Sequence, residues 1–190
     1  MKKSIALVMM AVLLVAASVM GTLAYLTSND TVKNTFTVGK VKITMDEAKV
    51  NEYGEADEGA DRVRENKYKL IPGHEYTKDP TVHFAAGSEA SYLFVKVENG
   101  IADIEADTKI AAQITTNGWT ALDGVTGVYY MKVDANAGTT AVDYAVFASF
   151  KLTDDANVEN YATANVTVTA YAIQADGFTD VAAAWAEVSK

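Results

Sequence analysis

Two histidines, His74 and His83, are the residues of this chain best suited to metal binding or proton transfer. His74-Glu75 begins like the His-Glu-x-x-His helix of zinc proteases, in which two imidazoles one helical turn apart bind the metal. Lys78 occupies the position of the second histidine, and Pro72-Gly73 predicts a turn where that helix would have to begin. The pair is therefore interpreted as turn or strand residues, although His74 and His83 could still meet across a hairpin with a carboxylate.

Carboxylate pairs are the other candidates for chemistry. Asp46-Glu47 and Asp154-Asp155 would have to face another carboxylate across a cleft to act as general acid and base, and their spacing indicates no such cleft. The chain also has no cysteine, no Gly-x-Ser-x-Gly turn and no phosphate-binding glycine loop. We interpret both pairs as solvated loop residues. No catalytic, cofactor-binding or metal-binding residue is predicted, and the protein is not expected to be an enzyme.

Residues 1–24 are typical of a signal peptide. Two lysines precede an apolar run, residues 5–20, which at about 1.5 Å per residue spans about 24 Å, less than the roughly 30 Å of a membrane's hydrocarbon core. Small residues then predict cleavage between Ala24 and Tyr25. The alternative is an uncleaved anchor in which the apolar run extends to Leu26.

The composition of the remaining chain favours an exported domain. Both charges of residues 1–24 are lysines, so the mature chain of 166 residues carries a net charge of −11, against −9 for the whole chain. This acidity argues against a nucleic-acid partner, because phosphate binding requires clustered lysine and arginine. Without cysteine the fold must be held by core burial and sheet hydrogen bonds. The expected location is extracellular, either secreted into a matrix or at the cell surface.

Residues 31–45 alternate as a strand does, but with one change of phase. Val32, Phe36 and Val38 lie at even positions, whereas the apolar residues of 41–45 lie at odd ones, and Gly39 stands at the break. A glycine at such a slip predicts a bulge or tight bend, and a simple turn between two short strands is the alternative.

The segment that follows, residues 46–67, is polar and acidic. Its spacing does not match the calcium loop of EF-hand proteins. We interpret it as a solvated loop and keep a calcium site as the less favoured alternative.

Most of the later chain predicts short strands. Residues 91–97 carry apolar side chains on both faces, which predicts a strand covered on both sides, and Pro80 predicts an edge or irregular position.

Residues 99–127 are weakly patterned, with Trp119 as their one large apolar anchor. Thr179 is predicted to cap a C-terminal helix that packs on the sheet. Further strands are predicted at 128–133, 143–152 and 165–174, which together favour an all-β antiparallel sandwich with a short C-terminal helix.

Three stretches resemble the TasA/camelysin family of exported proteins, whose signal peptides are cut by a dedicated signal peptidase, SipW. These are GTLAY at 21–25, TVKNTFTVG followed by VKI at 31–43, and IPGHEYTKDP at 71–80. The resemblance implies a jelly-roll-like β-sandwich that assembles into fibres of the extracellular biofilm matrix. It also implies donor-strand exchange, in which the N-terminal segment of one copy completes a sheet of the next.

On this basis the chain divides into a signal peptide (1–24), a donor-strand segment (25–38) and a β-sandwich domain (39–190). The expected partners are copies of the same chain, a SipW-type signal peptidase and an accessory matrix protein, with a membrane involved only through the uncleaved precursor. Camelysin-like members are also described as metalloproteases, which makes a cell-surface metalloprotease one alternative, and a monomeric surface binding domain is another. The donor-strand residues implied are Tyr25, Leu26, Val32, Phe36 and Val38.

Overall fold

The computed structural model describes residues 39–106 and 108–190. The predicted signal peptide, the cleavage site at Ala24 and Tyr25, the donor segment 25–38 and the change of phase before Gly39 therefore lie outside the described residues. Within them, no helix is long and apolar enough to cross a membrane.

The described chain is mostly β, and its strands form three antiparallel sheets, which confirms the predicted all-β class. One sheet has the order β1-β3-β7, a second pairs β2 with β8, and the third has the order β5-β6-β4-β9. The strands are β1 (Ile43–Asp46), β2 (Glu75–Thr77), β3 (Thr81–Phe84), β4 (Ser91–Asn99), β5 (Thr120–Ala121), β6 (Val128–Val133), β7 (Val142–Ala145), β8 (Ser149–Lys151) and β9 (Val166–Gln174).

One apolar core joins the three sheets. Leu93 and Val95 on β4 are fully buried and share this core with Val82 on β3 and Phe150 on β8. Tyr76 on β2 stacks on Phe150, with ring centroids 4.8 Å apart. The opposite face of β4 packs against a second, smaller cluster. The prediction that β4 is covered on both sides is therefore confirmed.

A break at Lys78–Pro80 explains why β2 and β3 are separate strands and why the predicted strand 143–152 is also divided. β2 and β3 lie on either side of it, and their partners β8 and β7 are interrupted at Val146–Ala148. Proline has no N–H to donate, but the Pro80 carbonyl accepts a hydrogen bond from the Val146 amide (2.9 Å). Pro80 thus lies at an irregular position, as predicted, and the predicted strand 143–152 is divided in two.

Two short helices accompany the sheets. α1 (Ile110–Thr116) lies within the stretch that showed only weak patterning, and the buried Glu105 carboxylate accepts a hydrogen bond from the Ile110 amide at its first turn (3.1 Å). α2 (Val181–Val188) packs on the outer face of the four-stranded sheet, where Trp185 contacts Phe94 and Tyr171.

The predicted cap of α2 is corrected by one residue. Asp180, not Thr179, is the N-cap, and its carboxylate accepts a hydrogen bond from the Ala183 amide (2.8 Å). Both residue types can cap a helix, so the sequence alone did not decide between them.

Candidate functional site

The most distinctive feature of the described chain is an open groove between the edge strands β1 and β9. In the part of the chain that the structure describes, β1 pairs only with β3, and β9 pairs only with β4. Each strand therefore has one long edge without a strand partner. Unpaired edges are templates for the addition of another strand.

The hydrogen-bond pattern of β9 shows which of its backbone groups have no strand partner among the described residues. The Asn165 carbonyl accepts from the Gly100 amide, and the Ala175 amide donates to the Ala90 carbonyl, so odd-numbered residues face β4. The even-numbered residues from Val166 to Gln174 consequently direct their N–H and C=O groups toward the groove.

β1 has the same arrangement. The Lys42 carbonyl accepts from the Ala85 amide beside β3, which places the backbone groups of Val41, Ile43 and Met45 on the open side. The side chains at these three positions pack partly buried against the main core, as do those of Val166 and Val168 across the groove.

The groove encloses a volume of about 970 Å³. Tyr68 and Leu70 line it from an extended segment in which inward and outward side chains alternate, and Ile101 and Phe150 belong to the core beneath. The Tyr68 hydroxyl donates to the Thr77 carbonyl (3.0 Å), and burial raises the pKa of this phenol. A strand or an apolar ligand that entered the groove would therefore contact core side chains directly.

A buried ion pair lies among the groove-lining residues. The Lys78 Nζ is 2.6 Å from Glu47 Oε2, and the two side chains are only 11% and 5% exposed. Asn66 donates to the other Glu47 oxygen (3.0 Å) and to the Ala48 carbonyl (2.8 Å). Glu47 is therefore not the solvated loop residue that the sequence predicted, because its backbone pairs with Val63 and its carboxylate contacts Asn66 and Lys78.

The Thr77-Lys78-Asp79-Pro80 element, which carried part of the family resemblance, anchors the acidic loop beside this groove. Asp79 Oδ1 accepts from the Ala48 amide (2.6 Å), and Asp79 Oδ2 forms an ion pair with Arg62 Nη1 (2.9 Å). Most of the loop 46–67 is exposed, as predicted, but its two ends are held by these charged contacts. The element thus has a structural role in the described chain.

His83 lies between two carboxylates on the three-stranded sheet. Its Nε2 is 2.9 Å from Asp46 Oδ1 on β1, and its Nδ1 is 2.6 Å from Asp143 Oδ1 on β7. Burial alone would lower the pKa of His83, but the hydrogen bonds with both carboxylates outweigh it and raise that pKa. Burial alone would raise the pKa of Asp46, but its hydrogen bonds with His83 and Arg62 outweigh burial and lower that pKa. These two contacts of His83 connect the edge strand β1 to β3 and β7 of the same sheet.

His74 does not join His83. Its Nε2 contacts the Tyr53 carbonyl (2.8 Å), and its ring packs on the edge of Tyr76 with centroids 4.6 Å apart. The preceding Gly73 has a φ of +72°, which confirms the predicted Pro-Gly turn. Across the described ranges, no group of three or more His, Asp and Glu side chains is arranged to hold a metal ion.

The sequence predicted the strand β9 but not the groove beside it. The donor residues Tyr25, Leu26, Val32, Phe36 and Val38 lie outside the described residues, so their placement stays a prediction. Comparison of the chain with protein-family models, with curated proteins and with solved structures finds no match.

Proposed function

We propose that this protein is an exported structural subunit of extracellular biofilm matrix fibres. Its domain is a jelly-roll-type sandwich, and it polymerises when the mature N-terminal segment, residues 25–38, enters the groove of another copy. Signal peptidase cleavage after Ala24 frees that segment. The protein acts by assembly and not by catalysis.

The single observation that carries the proposal is the groove bounded by two strand edges that have no strand partner within residues 39–106 and 108–190. A strand placed between β1 and β9 would give hydrogen-bond partners to the backbone groups of both edges, as in β-strand addition. It would also cover the partly buried side chains of both strands. An acceptor site for a strand needs both features.

The N-terminal segment suits this site by its length and by its alternation. At about 3.3 Å per residue, residues 31–38 extend over roughly 26 Å, which is close to the length of β9. Burial of Val32, Phe36 and Val38 within this stretch would contribute roughly 4.5–9 kcal/mol before ordering costs. Such a contact would be stable without a covalent bond.

A second candidate is a monomeric binding domain for an apolar ligand. Its support is the volume of the groove, about 970 Å³, which lies at the upper end of the range for ligand pockets. The partly buried apolar residues along both edges would surround such a ligand.

Electron microscopy and sedimentation of the mature chain test the proposal. We expect fibres from the chain that begins at Tyr25 and monomers from a chain that lacks residues 25–38. Val168→Glu, which places a charge in the groove, should prevent assembly, whereas Thr120→Glu, at an exposed position on the strand β5 at the other edge of the same sheet, should not. A mature chain that stays monomeric but binds an apolar fluorescent probe, with binding lost in Val168→Glu, would favour the second candidate.

A further inference from the structure

Lys78 lines the groove and has more N–H donors than it has acceptors among the described residues. An ammonium group has three N–H donors, and among the described residues the Lys78 Nζ has one acceptor, Glu47 Oε2. The side chain is 11% exposed. Because Lys78 lines the groove, we expect its other donors to be hydrated from the groove while no strand occupies it.

An inserted strand would remove that water. A buried N–H without an acceptor is costly, and more so on a charged group. The occupant of the groove must therefore place a polar acceptor beside Lys78, in addition to apolar side chains against the apolar residues that line the groove.

The segment 31–38 contains one residue that meets this requirement. Its even-numbered face carries Val32, Asn34, Phe36 and Val38, whereas the odd-numbered face carries three threonines and a lysine. When the apolar face turns toward the core, Asn34 necessarily turns inward with it.

We propose that Asn34 of the inserted segment accepts a hydrogen bond from the Lys78 ammonium of the receiving copy, and that this contact sets the register of insertion. The inference rests on the proposed function. A slip of two residues would keep the apolar face inward but would place Val32 or Phe36 against Lys78. The alternation of apolar residues does not prevent such a slip. A single buried polar pair would prevent it, because only one register pairs the two polar groups, just as a buried asparagine specifies the register of coiled coils.

The test is the critical concentration for assembly of the mature chain, measured by sedimentation. Asn34→Leu should raise it by about 5- to 150-fold, because Lys78 then loses water without gaining an acceptor. The matched control is Thr35→Leu, next in sequence but on the opposite face, which should change it by less than about twofold, the scale of an ordinary surface substitution. Equal effects of the two substitutions would overturn the inference.

A second background isolates the contact. In the double variant Glu47→Leu with Lys78→Met, the buried ion pair beside the proposed position of Asn34 is absent, and Asn34→Leu should no longer weaken assembly. An undiminished effect of Asn34→Leu there would also overturn the inference. If circular dichroism shows that this double variant does not fold, the comparison of Asn34→Leu with Thr35→Leu decides alone. Failure of the unsubstituted mature chain to assemble would instead refute the proposed function itself.

Discussion

Replacement of Lys78 by methionine should destabilise the domain strongly, although it removes a charge from an apolar surrounding. Methionine keeps much of the volume of the lysine stem, so the principal loss is the ion pair with Glu47. Glu47 would remain as a buried carboxylate with Asn66 as its one remaining side-chain donor among the described residues.

The magnitude follows from the burial of both partners. Removal of one partner of a buried ion pair costs about 3–5 kcal/mol, and we expect about 3 kcal/mol because the Lys78 side chain retains 11% exposure. For a chain of this size that corresponds to a fall in Tm of about 6–12 °C. Glu47→Leu combined with Lys78→Met should recover most of the loss, because no unpaired buried charge remains.

Urea unfolding followed by tryptophan fluorescence measures the effect, since Trp119 is only 2% exposed in the main core. Lys96→Met is the matched control: it breaks an ion pair with Glu98 of similar length, 2.9 Å, whose side chains are 42% and 63% exposed. No measurable loss is expected there. A loss for Lys78→Met as small as that for Lys96→Met, or a double variant as unstable as Lys78→Met alone, would contradict a stabilising buried ion pair.

Three further predictions follow from the described contacts. The pKa of His83 is raised in the folded chain, so its stabilising contribution is complete below the unfolded pKa of 6.5 and is lost as the pH rises through the folded pKa. The free energy of unfolding measured across this range should therefore fall as the pH rises. His83→Gln should remove the part of this pH dependence that His83 contributes. Gly54→Ala should lower the Tm more than Gly59→Ala. Both glycines have a positive φ, but a Cβ at Gly54 would lie 2.7 Å from the Tyr76 Cα, whereas a Cβ at Gly59 would have no atom within 4 Å. Equal losses of Tm would contradict this prediction. Asp180→Ala should lower the free energy of unfolding by about 1 kcal/mol in thermal unfolding, and Thr179→Ala should lower it much less. A larger loss for Thr179→Ala would instead support Thr179 as the helix cap.

The sequence was most informative where local pattern and burial agree. In β4 apolar side chains on both faces indicated a strand covered on both sides, and the structure places separate clusters against them. β9 was recognised from its alternation, which places valine and alanine on one face and Thr167, Thr169, Tyr171 and Ile173 on the other. In both strands the neighbouring sheets impose the period that the sequence shows.

Features that depend on distant partners were not predictable. α1 is seven residues long and has only Ile110 and Ile114 buried, which is too short a pattern to recognise. The burial of Glu47 depends on Asn66 and Lys78, which lie 19 and 31 positions away. The groove itself lies between two strands that are far apart in sequence and that each have a single strand partner in the described part of the chain, and no local pattern encodes that.

The central claim is that the groove of one copy receives the N-terminal segment of another. The most direct measurement replaces Phe36 with a photoreactive benzoylphenylalanine, mixes isotope-labelled and unlabelled mature chains, and maps the cross-links by mass spectrometry. The account predicts cross-links between copies, from position 36 to groove residues such as Tyr68, Ile101 and Val168. Cross-links confined to a single copy, or between copies but outside the groove, would contradict it.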